Sequence, residues 1–250
     1  MAGMTNELKP DTTQRTPVAL VTGGSEGLGL ELVRELSDRG WTVVTDARDV
    51  DRLRANVRAL SSGERVRAVG GDVADATHRA ALATEIDALG GLDLLVLNAS
   101  TLGPLPMRPL RELTATELGD TIRGTAGANA ALMIELADRL LRRDGVVVGI
   151  SSDAAVEHYE TWGPYGAAKA ALDHLVQTFG AETGLPVYAV DPGDMRTRMH
   201  RDAFPDEDIS DRPLPETVAP RLLALVAQRP PSGRYRAAEV ALPDRAEVPA

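Results

Sequence analysis

A phenol and a primary ammonium stand one helical turn apart in this chain. Tyr165 and Lys169 open the stretch YGAAKAALDHLVQTF, and residues four apart share a helix face, roughly 6 Å from each other along the axis. A free phenol titrates near about 10, too high to trade protons readily at neutral pH. Lowering it by about 3 units takes roughly 4 kcal/mol of preferential stabilisation of the phenolate. A neighbouring ammonium contributes in that direction, so the pair suits general acid–base chemistry. Coincidence accounts for it poorly: with 4 Tyr and two Lys in 250 residues, this spacing arises by chance about 0.03 times. Of the 27 cationic residues only Lys9 and Lys169 are Lys, every other one being Arg. Arg would keep the charge, but its planar fork is not the same compact donor. Ser152 ends the apolar run VVVGI-SS before Tyr165. Ser151 beside it faces the other way if the strand runs on.

A second chemistry is written in glycine. Thr22-Gly23-Gly24-Ser25-Glu26-Gly27-Leu28-Gly29 joins the apolar run VALV to the amphipathic stretch LELVREL. Glycines there allow a tight strand-to-helix turn and let backbone N–H groups approach a pyrophosphate at a helix N-terminus. The spacing alone is weak, expected about 0.2 times by chance in a chain with 23 Gly. Its place between a strand and a helix favours nucleotide binding over a plain turn.

The elements that must carry these groups alternate. Short β-branched runs at 18–22, 42–45, 66–69, 92–97, Val146–Ile150 and 187–190 read as strands, several apolar throughout as parallel strands covered on both faces must be. Helical periodicity fills 28–38, 50–60, 76–89, 117–143 and 165–183. Strand–helix alternation implies right-handed βαβ units and a doubly wound sheet, with ligands beyond the carboxyl ends of the strands. The fold class expected is therefore α/β: one Rossmann-like doubly wound parallel sheet in a three-layer α/β/α sandwich. Polar residues 1–16 and 243–250 read as tails around a single domain at 17–242.

The glycine spacing G-x-x-x-G-x-G resembles the short-chain dehydrogenase/reductase family, and the family's other landmarks follow in order. Asp72-Val73 follows the third strand, Asn98-Ala99-Ser100 the fourth and Pro192-Gly193 the sixth, with Thr197 beyond. The resemblance covers nearly the whole chain. It implies a catalytic set of Ser152, Tyr165 and Lys169, Ser152 standing at the family's offset of 13 residues before the tyrosine. It also implies a nicotinamide dinucleotide held by Thr22, Gly23, Ser25, Glu26, Gly27, Leu28, Gly29, Ala47, Arg48, Asp72, Val73, Asn98, Ala99, Ser100, Tyr165, Lys169, Pro192, Gly193, Met195 and Thr197. The expected reaction is interconversion of a carbonyl and a secondary alcohol by hydride transfer, with Ser152 bonding the carbonyl oxygen and Tyr165 as general acid/base. Residues 194–220 take the place of the substrate loop, where Met195, Met199 and Phe204 could cover an apolar ligand. A homodimer or homotetramer is implied as well.

Three points depart from the family pattern or leave a choice. The family's helix Asn falls at Thr125 by register; Asn129, one turn later, either substitutes or is a helix-surface Asn. Ala47 occupies the acidic selector position and Arg48 that of a phosphate-binding Arg, which favours NADP(H) over NAD(H). Glu26 argues the other way, and a one-residue slip would make Asp46 the selector.

Composition sets the limits. With 27 Lys+Arg against 37 Asp+Glu the formal charge is −10, which argues against a general nucleic-acid or anionic-membrane binder. No run approaches the roughly 18 apolar residues that span a bilayer. Cysteine is absent, so disulfides, thiol nucleophiles and Cys-ligated zinc are excluded. His78, His158, His174 and His200 lack ligand spacing, so no metal is expected. The default compartment is the cytoplasm. Two other readings stand beside the reductase: a non-catalytic dinucleotide-binding regulator on the same fold, and an epimerase or dehydratase of a nucleotide sugar. The latter relatives use another glycine spacing and a longer C-terminal part.

Overall fold

A computed structural model describes residues 15–242; the segments read as tails lie outside the described residues, except for Arg15 and Thr16. Arg15 forms a two-pronged ion pair with Asp93 at 2.7 and 2.8 Å, fastening the entry to the first strand.

The chain alternates β1 (Val18–Val21), α1 (Gly27–Asp38), β2 (Thr42–Ala47), α2 (Val50–Arg58), β3 (Val66–Gly70), α3 (Ala76–Ala88) and β4 (Leu94–Leu97). It continues through α4 (Ala115–Ile122), α5 (Ala128–Glu135), α6 (Ala137–Leu141), β5 (Val146–Ile150), α7 (Gly163–Thr183), β6 (Val187–Asp191), α8 (Arg198–Ala203), α9 (Pro215–Gln228) and β7 (Gly233–Arg236). All strand pairs are parallel, in the order β3-β2-β1-β4-β5-β6-β7. The order reverses between β1 and β4, the position at which doubly wound sheets open a ligand crevice. The strands β1, β4, β5 and β6 are buried along their whole length. One apolar cluster packs on each face, around Leu32, Val96 and Leu222 on one side and Leu95, Leu132 and Val176 on the other. Each such Leu or Val contributes on the order of 2 kcal/mol by leaving water.

Helix starts follow from local chemistry. Asp49 and Asp75 accept from Arg52 and Thr77 backbone N–H groups, and Thr114 with Glu117 forms a reciprocal cap.

Two expectations need correction, and one strand was not expected. The stretch 117–143 is not one helix: α4 passes through a π turn at Arg123–Gly127 into α5, and α6 follows after Leu136. The segment 194–220 is not a continuous loop, because Thr197 caps α8 and α9 begins at Pro215. Pro at the first helical position costs no hydrogen bond, so Pro215 opens the helix instead of breaking it. The strand β7, GRYR, carries no apolar run to betray it. It forms because it is an edge strand that pairs with β6 on one side only.

Candidate active site

Every landmark falls along one cleft of about 690 Å³ at the carboxyl ends of the strands. At one end the N-terminus of α1 faces the cavity, and its N-cap Glu26 gives no side-chain hydrogen bond to the first turn. Gly29 is there because nothing larger fits: a Cβ would collide with the Gly23 carbonyl and the Asn98 amide. Asn98 donates to the Thr22 carbonyl at 2.8 Å, tying the β4 turn to the glycine loop. Asp72, Val73, Ala99, Pro192, Gly193, Met195 and Thr197 line the same cleft, as do Ser25, Gly27, Leu28, Ala47 and Arg48. Ser100 lines it too, with its buried hydroxyl left without a partner. An uncapped helix start, a side-chain-free cradle and an orphaned hydroxyl fit a dinucleotide whose pyrophosphate sits against α1.

Thr22 is the exception among the expected contacts. It is fully buried beneath the loop, where its hydroxyl accepts from the Asn98 and Ala99 backbone N–H groups at 2.9 Å each. It braces the cleft and does not line it.

Asp46, left open above as a selector by slippage, has another task. Its buried carboxylate accepts from the Gly23 N–H at 2.9 Å and meets His78 Nε2 at 2.9 Å on the other oxygen. Asp46 lines the cleft with both carboxylate oxygens engaged in this way. Arg48 is exposed on the cleft wall, and among the described residues it has no ion-pair partner. Glu26 is engaged by Arg52 at 2.9 Å.

The other end of the cleft gathers Ser152, Tyr165 and Lys169. The helix α7 reaches it because Gly166 lets the Ala154 carbonyl approach; a Cβ there would strike it. That contact presses the first turn of α7 onto the segment after β5. Lys169 is 2% exposed and donates to the Ile150 carbonyl at 2.7 Å. Burial pulls its ammonium down to about 8, and the Asp173 carboxylate opposes that pull. Its Nζ lies 5.5 Å from the centre of the Tyr165 ring. Burial pushes the Tyr165 phenol above its ordinary range, the neighbouring Ser152 hydroxyl draws it back, and the carboxylates of Asp153, Asp191 and Asp194 raise it further. The lysine's downward pull expected from the sequence is therefore outweighed by burial and three carboxylates, and the phenol stays protonated. Ser152 Oγ donates to Asp153 Oδ1 at 2.9 Å, whereas Ser151 turns the other way and donates to Asp173 at 2.6 Å.

The two candidates for the family's helix Asn are both buried. Thr125 Oγ1 accepts from the Thr101 N–H at 3.3 Å, and Asn129 Nδ2 donates to the Ala99 and Thr125 carbonyls at 2.9 and 2.8 Å. The surface reading of Asn129 is wrong: its exposure is 0%, and it lies one turn after the equally buried Thr125. His158 is exposed and absent from the cleft wall, while His200 lines it. Among the described residues no group of His, Asp or Glu could hold a metal, and no helix is long and apolar enough to cross a membrane.

Sequence reasoning passed over Asp153, Asp194 and Trp162 on the wall. Asp153 directly follows the chosen serine, and that adjacency was the available signal. Trp162, packed edge-on to Tyr165 at 5.4 Å between ring centres, offered none.

Comparison with known proteins agrees with this geometry. The short chain dehydrogenase family matches residues 17–208. A tropinone reductase homolog of Arabidopsis thaliana is 31% identical over 220 residues, covering 85% of this chain and 80% of its own. The short chain dehydrogenase from Shigella flexneri superposes with a TM-score of 0.83 at 27% identity, over 92% of this chain and 93% of that one. An alcohol dehydrogenase from the archaeon Thermococcus sibiricus, complexed with 5-hydroxy-NADP, superposes with a TM-score of 0.78 at 25% identity, over 89% and 96%.

Proposed function

The chain belongs to the short-chain dehydrogenase family, an oxidoreductase family, and from that premise we propose that it interconverts a carbonyl and a secondary alcohol, with NADP(H) as the preferred dinucleotide. The observation that carries this reading is the meeting of Ser152, Tyr165 and Lys169 at one end of a cleft whose other end is a glycine cradle. A tropinone reductase homolog and an alcohol dehydrogenase complexed with an NADP derivative among the similar proteins support it.

When bound, the dinucleotide supplies the hydride. The chain's own residues do the rest. The first turn of α1 would hold the pyrophosphate, Asp72 and Val73 the adenine, and Lys169 the ribose hydroxyls beside the nicotinamide. Arg48, exposed and without an ion-pair partner, is the group that would meet a 2′-phosphate. Ser152 orients the substrate oxygen by donating to it. Tyr165 delivers its phenolic proton to that oxygen as negative charge develops there. Burial and nearby carboxylates keep the phenol protonated, the form that can donate. The Lys169 charge then stabilises the phenolate left behind. The family's assembly into homodimers or homotetramers and a cytoplasmic location belong to the same proposal, and light scattering tests the first.

The test is a panel of ketones and aldehydes followed at the nicotinamide absorbance with NADPH and NADH. Steady turnover is expected, falling about 10²- to 10⁴-fold in Tyr165→Phe. The reading fails if neither dinucleotide binds, or if Tyr165→Phe turns over as fast as the parent. Binding without turnover on any substrate would favour the regulator.

A further inference from the structure

Behind the catalytic residues lies a buried set of charges that the proton transfer does not itself use. Tyr165, Lys169 and Asp173 follow one another at intervals of four along α7, on the face turned toward the sheet, and all three are buried. Asp173 Oδ2 receives the Ser151 hydroxyl at 2.6 Å and Arg234 Nε at 3.3 Å. Arg234 comes from the edge strand β7, and with Nη2 it donates to the Ser152 carbonyl at 2.8 Å and reaches Asp191 at 3.5 Å. Arg234 thus bridges two carboxylates under the ends of β5, β6 and β7, with the Lys169 ammonium one helical turn before Asp173 on α7. Isolated, any one of them would be costly to bury.

Resting on the reading given above, we propose that Asp173, held by Ser151 and Arg234, is the counter-ion of the Lys169 ammonium, which makes Asp173 and Arg234 positioning residues of the catalytic centre. The other charged or titratable groups near Lys169 do not fill that place. Tyr165, on its own helix, is a neutral phenol. Asp153, after β5, is taken up by Ser152 and Tyr159. Asp191, at the end of β6, accepts from the Gly193 N–H and faces Arg234. Asp173 is the carboxylate one helical turn from Lys169 on the same buried face of α7. Its second oxygen, Oδ1, is buried and has no hydrogen-bond partner, so that oxygen's charge is not spent on any other donor. Arg234 adds a second function: by gripping the Ser152 carbonyl it fixes the backbone from which the catalytic hydroxyl projects.

The two-lysine composition gives a direct test that needs no turnover. Protein grown on lysine carrying ¹³C at Cε yields two lysine signals, and Lys169→Met identifies that of Lys169 by its loss. Titration of the parent should place Lys169 near about 8. In Asp173→Asn, which keeps the shape and loses the charge, that midpoint should fall by about one to two pH units. The alkaline limb of kcat for carbonyl reduction should move down by the same amount. Should Asp173→Asn fold poorly, Ser151→Ala and Arg234→Lys probe the same cluster. In Ser151→Ala the carboxylate loses a donor but keeps its charge, so the Lys169 midpoint should hold or rise. In Arg234→Lys the charge is kept and the two-pronged grip lost, so kcat should fall more than about fivefold with the Lys169 midpoint held within about half a unit. A Lys169 midpoint in Asp173→Asn within about 0.3 units of the parent overturns the counter-ion assignment even if the enzyme is an active reductase. A parent that titrates as described but reduces nothing leaves the electrostatics intact and overturns the activity instead.

Discussion

Replacing Lys169 by Met removes a buried ammonium whose titration belongs to the folded state. In the fold it titrates near about 8, against 10.5 for an unperturbed lysine. The folded value is the lower one, so between these two pH values the unfolded chain binds more protons. Stability linked to Lys169 is therefore fully present above about 10.5 and is lost as the pH falls through about 8. By two-state linkage the burial penalty is about 3 kcal/mol at pH 7 and about 1.5 kcal/mol at pH 9.5. The parent should thus gain about 2 kcal/mol on Lys169→Met over that interval. At pH 7 the relief of the penalty is opposed by the loss of the bond to the Ile150 carbonyl, which leaves a buried acceptor at a cost of about 1–3 kcal/mol. Absolute stabilities of the two proteins should accordingly lie within about 2 kcal/mol, and the pH dependence is the sharper quantity. Urea unfolding of both chains at the two pH values, followed by circular dichroism, measures it, and groups common to both cancel. A difference in unfolding free energy that stays constant to within about 0.5 kcal/mol would refute the picture of Lys169 as a fully buried, titrating cation.

Other perturbations reach the remaining parts of the cleft. Gly29→Ala places a methyl against the Gly23 carbonyl and the Asn98 amide, so NADPH affinity measured by fluorescence titration should weaken by at least about tenfold, with a lowered Tm. Arg48→Ala removes an exposed cation and nothing from the core; kcat/KM for NADPH should fall about tenfold while that for NADH changes less than about twofold. His78→Leu takes away one of the two partners of the buried Asp46 carboxylate. Chemical denaturation should register a loss of about 2–4 kcal/mol, and dinucleotide binding should weaken because the same carboxylate holds the Gly23 N–H.

How far the sequence could be read depended on how local each signal was. The glycine loop was legible because tight turn, cradle and helix start are consecutive residues. The Tyr165–Lys169 pair was legible because one helical turn fixes its geometry. The reading failed where a residue's role is set by something distant in the chain. Thr22 resembles a member of the glycine loop, yet its hydroxyl is consumed by backbone 76 and 77 residues away. Asp46 resembles a ribose ligand shifted by one place until His78, 32 residues on, claims it. Asn129 reads as a helix-surface residue until the Ala99 carbonyl, 30 residues earlier, takes its amide.

What the sequence determined by itself is the alternation of strands and helices, the order of the landmarks along them, and the presence of a phenol with an ammonium one turn on. Period and spacing are properties of neighbours, and a helix or a turn enforces them without help. The tertiary structure decided which of those groups are charged. Lys169 carries a lowered pKa because ten buried positions of α7 lie against the sheet, and it faces a carboxylate held by an arginine 61 residues away on an edge strand. Desolvation and long-range pairing are set by everything packed around a group, and no stretch of sequence read alone contains them.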